Sequence, residues 1–232
     1  MSEGILNIVT TPIGNYADMT LRALRILKES DYIICEEYKE ANKLLKFFEL
    51  DKELFRINEH NEENIDEEII NNLLTGKKIS LISDGGTPLF ADPGNYLLHR
   101  CIELNIKVDF IGGANSVLTA VVLCGFNISR FRFVGFLSPK NDIRKKELDK
   151  LKFEDRVLII LDAPYRLIQM ITDLKNIMPE RNIFLGCNLT SNDEKQFRGT
   201  AENILNLLEE NYKAEFVLIL DKINSKKNDN NI

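Results

Sequence analysis

Histidine and cysteine are scarce in this chain of 232 residues: two histidines, His60 and His99, and four cysteines, Cys35, Cys101, Cys124 and Cys187, with no CxxC pair. A structural zinc site is therefore not expected, since such sites gather four closely spaced ligands of these types. Cysteines scattered through apolar runs are expected to be reduced and buried, as in a cytosolic protein. No apolar stretch approaches the ~18 residues of a membrane span. No basic segment leads into an apolar run at the N-terminus, so export and membrane insertion are not expected and a cytoplasmic location is. The glycine pattern of a standard dinucleotide site is missing, and so is the lysine-tipped phosphate loop of nucleotide hydrolases. Positive charge is also short: the net charge of −6 argues against a general nucleic-acid coat. An RNA substrate met through a local patch remains open.

What is present is an ordinary globular composition, 44% hydrophobic and 28% charged, long enough for one large or two small domains. Strands are predicted at Ile5–Val9, Tyr32–Cys35, 78–82 and Lys107–Ile111. Helices are predicted between them, from about Thr20, over Leu44–Phe48, over Ile65–Leu73 and over about 95–104, with a polar loop at Asn58–Glu62. Alternation of this kind predicts a mostly parallel sheet covered on both faces. After a helix from Val117 to about Cys124, the layout changes. Strands at Phe131–Phe136, Val157–Leu161, 182–188, 195–199 and Phe216–Leu220 are predicted, with helices at about 142–151, after Pro164 and near 201–210. The expected organisation is two α/β domains, 1–113 and 114–223, with mostly parallel and mixed sheets and a disordered tail at 224–232.

Three loops fall at strand ends in the first half: 10–15, 83–94 and 111–116. In a parallel sheet those ends share one edge, so the loops can converge on one ligand. The second of them, Ser83-Asp84-Gly85-Gly86-Thr87-Pro88-Leu89-Phe90-Ala91-Asp92-Pro93-Gly94, is the most distinctive stretch of the chain. Its glycines allow close backbone approach and its prolines hold a shape. On the helix near 142–151, Lys140, Arg144, Lys145, Lys146, Lys150 and Lys152 outweigh Asp142, Glu147 and Asp149, which reads either as a solvated face laced with ion pairs or as a phosphate-tracking surface.

The order and wording of these segments resemble the tetrapyrrole-methylase-like family of S-adenosylmethionine-dependent methyltransferases. The similar branch methylates a cytidine ribose 2′-hydroxyl in small-subunit ribosomal RNA. Thr11-Pro12-Ile13-Gly14-Asn15, followed by Asp18 and Thr20-Leu21-Arg22-Ala23-Leu24, resembles the branch's TPIGNLxDxTLRAL. The 83–94 loop is similar to SDAGTPxxxDPG, and Asn58-Glu59-His60-Asn61-Glu62 to its EHNE loop. Gly135-Phe136-Leu137 with Pro139, Lys140 and Arg144 resembles GFLPxK…R, and Ala163-Pro164-Tyr165-Arg166-Leu167 resembles EAPHRL. Lys39 and Glu40 stand where the family has arginine and histidine, so donor-binding motifs are kept better than the residues that meet RNA.

The resemblance implies a homodimeric enzyme with S-adenosyl-L-methionine in the cleft between the domains and the small ribosomal subunit as partner. Implied donor contacts are Pro12, Ile13, Gly14, Asp84, Gly86, Thr87, Pro88, Ser116, Val117 and Leu161. A ribose hydroxyl gains from a base, for which Glu36, Glu37 and Asp162 are the acidic candidates at strand ends. Lys39, His60, Lys140, Arg144 and Arg166 are the candidates to hold substrate, and no metal is implied. The alternatives are a relative acting on a tetrapyrrole or another small acceptor, and a non-catalytic, ribosome-associated protein that binds the donor.

Overall fold

The structure, a computed structural model, describes residues 4–57, 62–90 and 92–223, and the side chains of 62–66 lie outside that description. The expected loop at 58–62 lies outside the described residues except for Glu62, which begins a helix, and the tail from Asn224 is outside them. Backbone contacts divide the chain into two compact units, residues Met1–Asn115 and Ser116–Ile232.

In the first unit, β1 (Ile5–Val9), β2 (Tyr32–Cys35), β3 (Leu54–Arg56), β4 (Lys78–Leu81) and β5 (Lys107–Ile111) form one sheet in the order β3-β2-β4-β1-β5. Every pairing in it is parallel. The strands alternate between two apolar layers. Tyr32, Ile34, Ile79 and Leu81 join one cluster, whereas Ile33, Cys35 and Ile82 join the other. Helices α1 (Leu21–Glu29) and α2 (Tyr38–Phe47) cover the second face through Ala23, Leu27, Ala41, Leu44 and Leu45. Helices α3 (Glu62–Leu74) and α4 (Asn95–Glu103) cover the first through Ile69, Ile70, Leu73, Leu97 and Cys101. Thr20 caps α1 by accepting the Ala23 N–H at 3.1 Å, which supplies a partner that the first turn lacks. Strand β3 was not expected from the sequence. Its three residues carry no period of their own and become a strand only by pairing with β2.

In the second unit, α5 (Ser116–Leu123) precedes β6 (Phe131–Phe136), α6 (Asn141–Leu151), β7 (Val157–Asp162), α7 (Leu167–Ile177), β8 (Ile183–Cys187), β9 (Lys195–Gly199), α8 (Ala201–Leu205) and β10 (Phe216–Leu220). The sheet order is β6-β7-β10-β8-β9, with β6 and β7 parallel and the remaining pairs antiparallel. Helix α8 is shorter than the expected 201–210, because the chain turns after Asn206 and lays Tyr212 against Phe197, ring centroids 6.4 Å apart. All four cysteines are buried and free. Among the described residues no helix is long and apolar enough to cross a membrane.

The basic helix expected on the surface needs correction at one residue. Arg144 shares a helical face with Leu148 and Leu151 at i+4 and i+7, and that face is the buried one. Its side chain is 1% exposed and pairs with the equally buried Asp173 on α7 at 2.8 Å. Asn141 and Gln169 complete the network at 2.6 and 3.2 Å. Arg144 therefore holds α6 to α7 and is not placed to touch RNA. Removing one partner of such a pair strands a buried charge. Asp173→Ala is expected to lower stability by about 3–5 kcal/mol in urea unfolding. The double change Arg144→Met with Asp173→Leu is expected to recover most of that loss.

Candidate active site

The parallel order of the first sheet brings the carboxyl ends of its strands to one edge, and the three loops do meet there. Thr11 and Gly86 form an isolated antiparallel bridge, the Thr11 N–H donating to Gly86 at 2.9 Å and the Gly86 N–H to Thr11 at 3.1 Å. The Thr11 hydroxyl donates to the Ser83 carbonyl at 3.3 Å. The third loop joins through Thr87, which donates to the Ala114 carbonyl at 3.4 Å and accepts from the Asn115 amide at 3.1 Å. Thr10 donates its N–H to Ile111 at 3.0 Å.

Close packing demands glycine at two points. Gly86 has φ +88°, and a Cβ there would sit 3.0 Å from Cγ2 of Ile13. A Cβ on Gly113 would meet Cβ and Cγ2 of Thr10 at 3.2 Å. Pro12 and Pro88 are buried, Ile13 and Thr87 half-buried, and Gly14 exposed. Thr10 Oγ1 and Asn7 Oδ1 are buried with no hydrogen-bond partner among the described residues. Buried polar atoms of this kind ordinarily find a partner, so they mark places where a ligand or water can complete the site.

Two aspartates charge the middle loop. Asp84 Oδ1 accepts the Glu37 N–H at 3.1 Å, supplying at the start of α2 the cap that Glu37 itself does not. Partial burial raises the Asp84 carboxyl above its ordinary range, opposed by this hydrogen bond and reinforced by the charges of Glu37 and Glu40. Asp92 is pushed up to about 6, mainly by burial and further by Asp84. Burial, with Asp84 beside it, also lifts the Cys35 thiol to about 12, so this cysteine is unreactive at neutral pH. Glu37 pairs with Arg56, whose Nε donates to the Glu36 carbonyl at 2.9 Å. Glu36, Glu37 and Asp84 are thus gathered at one edge, with Lys39 exposed in the first turn of α2.

An adenosyl sulfonium donor carries a positive sulfur, an amine and several hydroxyl groups. The loops offer glycine backbone for close approach, the unpartnered Thr10 hydroxyl for a polar group and two carboxylates for positive charge. The residues fit that donor.

In the second unit, Ser116 and Val117 open α5, the first half-buried and the second buried, and Lys140 is exposed at the start of α6. Leu161 is half-buried on β7. Asp162 ends that strand, accepts the Ala163 N–H at 2.7 Å and forms an ion pair with Arg166 one turn later. Arg166 also donates to the Leu137 carbonyl at 3.4 Å. Burial raises the Asp162 carboxyl, while the Ala163 N–H and the Arg166 charge pull it back. Asp162 Oδ2 and Arg166 Nε and Nη1 are buried without hydrogen-bond partners among the described residues. Arg144 is part of the core as described above, and His60 lies outside the described residues. Sequence reasoning singled out neither Thr10 nor Asp92 nor Arg56. Asp92 was visible within the quoted loop, but its depth was not. Arg56 lies on the unforeseen strand β3. Among the described residues no cluster of three or more potential ligands is placed to hold a metal.

A parallel sheet with three loops meeting at one edge, followed by a mixed sheet, is the two-unit α/β fold of a class of methyltransferases. Solved structures share this fold across the chain. A diphthine synthase superimposes with TM-score 0.73 at 15% identity, covering 94% of this chain and 90% of that one. The uroporphyrin-III-C-methyltransferase of Thermus thermophilus gives 0.65 at 18%, covering 94% of each. The model of the tetrapyrrole (corrin/porphyrin) methylases matches residues 6–205, and the chain belongs to this family of S-adenosyl-L-methionine-dependent enzymes. Among curated relatives, the ribosomal RNA small subunit methyltransferase I of Synechocystis sp. is 38% identical, covering 94% of this chain and 78% of the relative. The protein of the same name from Thermotoga maritima is 36% identical, covering 89% and 92%.

The raised carboxyl of Asp92 has a measurable sign. Its folded value of about 6 lies above the ordinary 3.8, so the folded state holds the proton more tightly. Stability from this group is full below the ordinary value and is lost as pH rises to the folded one. Asp92→Asn is therefore expected to be more stable than the unaltered protein by about 1–2 kcal/mol above pH ~7 and equal to it near pH ~3.5, in urea unfolding at both pH values.

Proposed function

We propose that this methyltransferase modifies the 2′-hydroxyl of a cytidine ribose in small-subunit ribosomal RNA. The observation that carries the reading is the reach of the similarity to relatives named for that RNA, which at 38% identity extends over 94% of the chain. It takes in the second unit, with Lys140 and the Asp162–Arg166 pair, as well as the glycine loops.

When bound, S-adenosyl-L-methionine supplies an electrophilic methyl group on a sulfonium. Transfer to a hydroxyl is an in-line displacement, so most of the catalysis lies in positioning. The loops carrying Pro12, Ile13, Gly14, Gly86, Thr87 and Pro88 hold the donor, and Asp84 favours its positive charge. Ser116 and Val117 follow the third loop directly and extend the set of proposed donor contacts.

The three acidic candidates differ in where they sit. Glu37 is engaged by Arg56 and Asp162 by Arg166, and each ion pair ties its carboxylate to a neighbouring guanidinium. Glu36, half-buried directly after β2 at the edge where the loops meet, is the proposed proton acceptor. Asp162 is instead a positioning residue for Arg166, whose Nε and Nη1 can receive a phosphate oxygen. Lys39 and Lys140 are proposed as further phosphate contacts.

Ribose-methylation mapping of small-subunit RNA, with and without the gene, tests the substrate; an unchanged map overturns it. Glu36→Gln is expected to lower kcat by about 100-fold or more with calorimetric affinity for S-adenosyl-L-methionine retained. Asp162→Asn is expected to raise KM for RNA more than it lowers kcat. A pH profile that loses its acidic limb in Asp162→Asn would instead make Asp162 the base.

A further inference from the structure

The two helical layers of the first unit are oppositely charged. Helices α1 and α2 cover one face of the sheet and carry Arg22, Arg25, Lys28, Lys39, Lys43 and Lys46, all exposed. Only Glu29 and Glu40 oppose them within those helices, pairing with Arg25 at 4.0 Å and Lys43 at 2.7 Å. Both contacts are solvent-exposed and leave the net field positive. Helix α3, on the other face, has Glu62, Glu63, Asp66, Glu67 and Glu68 and no basic residue. A layer of net charge +4 in a chain of net −6 is a segregated field, whereas a merely solvated face mixes its signs.

Both helices lie on the same face of the sheet. The Tyr16 ring, just before α1, lies against Phe47 at the end of α2, centroids 4.5 Å apart, with Phe48 at 6.1 Å. Both helices begin at the carboxyl edge of the sheet, α1 after the first ligand loop and α2 beside Glu36 and Asp84. A polyanion lying along them would reach the donor edge.

We propose that the outer side of α1 and α2 receives the phosphate backbone of the RNA substrate, with Arg22, Arg25, Lys28 and Lys46 as contacts beyond those assigned above. This rests on the reading of the enzyme as an RNA methyltransferase. It places the main electrostatic footprint on the first unit, where the sequence had suggested α6. Arg and Lys in such a surface position the substrate without reading bases.

The test is the salt dependence of binding to isolated small ribosomal subunits. Each cation that neutralises a phosphate of a single strand adds about 0.7 to the slope of log affinity against log salt. The variant Arg22→Gln, Arg25→Gln, Lys28→Gln, Lys46→Gln is expected to lower that slope by about 2–3 and to raise KM for subunits at least tenfold, with unchanged affinity for S-adenosyl-L-methionine. Lys145→Gln, Lys146→Gln, Lys150→Gln on α6 is the comparison and is expected to change the slope less. An unchanged slope in the first variant, or a larger loss in the α6 variant, overturns this surface while leaving the RNA reading intact. Absence of salt-sensitive binding by the unaltered protein overturns both.

Discussion

Two backbone hydrogen bonds between Thr11 and Gly86 carry more of this architecture than their number suggests. They tie the loop after β1 to the loop after β4, strands that neighbour each other in the sheet, at a residue with a left-handed backbone. A side chain at Gly86 would press on Ile13, so the bridge and the cradle impose the same choice of residue. Thr87 then reaches the third loop, and Asp84 reaches back to the start of α2. Segments from four parts of the chain are thereby held by a few short contacts at one edge. Preorganisation of this kind is what a displacement reaction at a sulfonium requires, since it needs little covalent help.

Charge is spent in two different ways. In the second unit, Arg144 and Asp173 are buried together, and Asp162 and Arg166 form a pair at the end of β7. In the first unit, the cations of α1 and α2 are exposed on one face of the sheet. Buried pairs fix helices and orient side chains, whereas exposed cations act at a distance on a charged ligand. An acidic protein can meet RNA under these conditions, because phosphates sense the local field more than the net charge.

Much of the fold was legible. The alternation of strand and helix in the first half follows from apolar runs buried on both faces, and the three ligand loops follow from glycine and proline at strand ends. Strand β3 was not legible, because Leu54-Phe55-Arg56 has neither length nor period and owes its form to β2. Arg144 was misassigned to the surface, although its spacing from Leu148 and Leu151 put it on the buried face. The cationic layer was hidden for another reason. Its residues come from two helices separated by a strand, and nothing local says that both pack on one side of the sheet.

Composition and order alone determined the class of fold and the three loops at its strand ends, which depend on local periodicity and on residues with special backbone freedom, while the family was legible in the wording of the motifs. Only the tertiary structure decided which charges are partners and which are free to act on a ligand. That choice depends on burial and on distances between residues far apart in the chain, and neither quantity is written in the neighbourhood of any one residue.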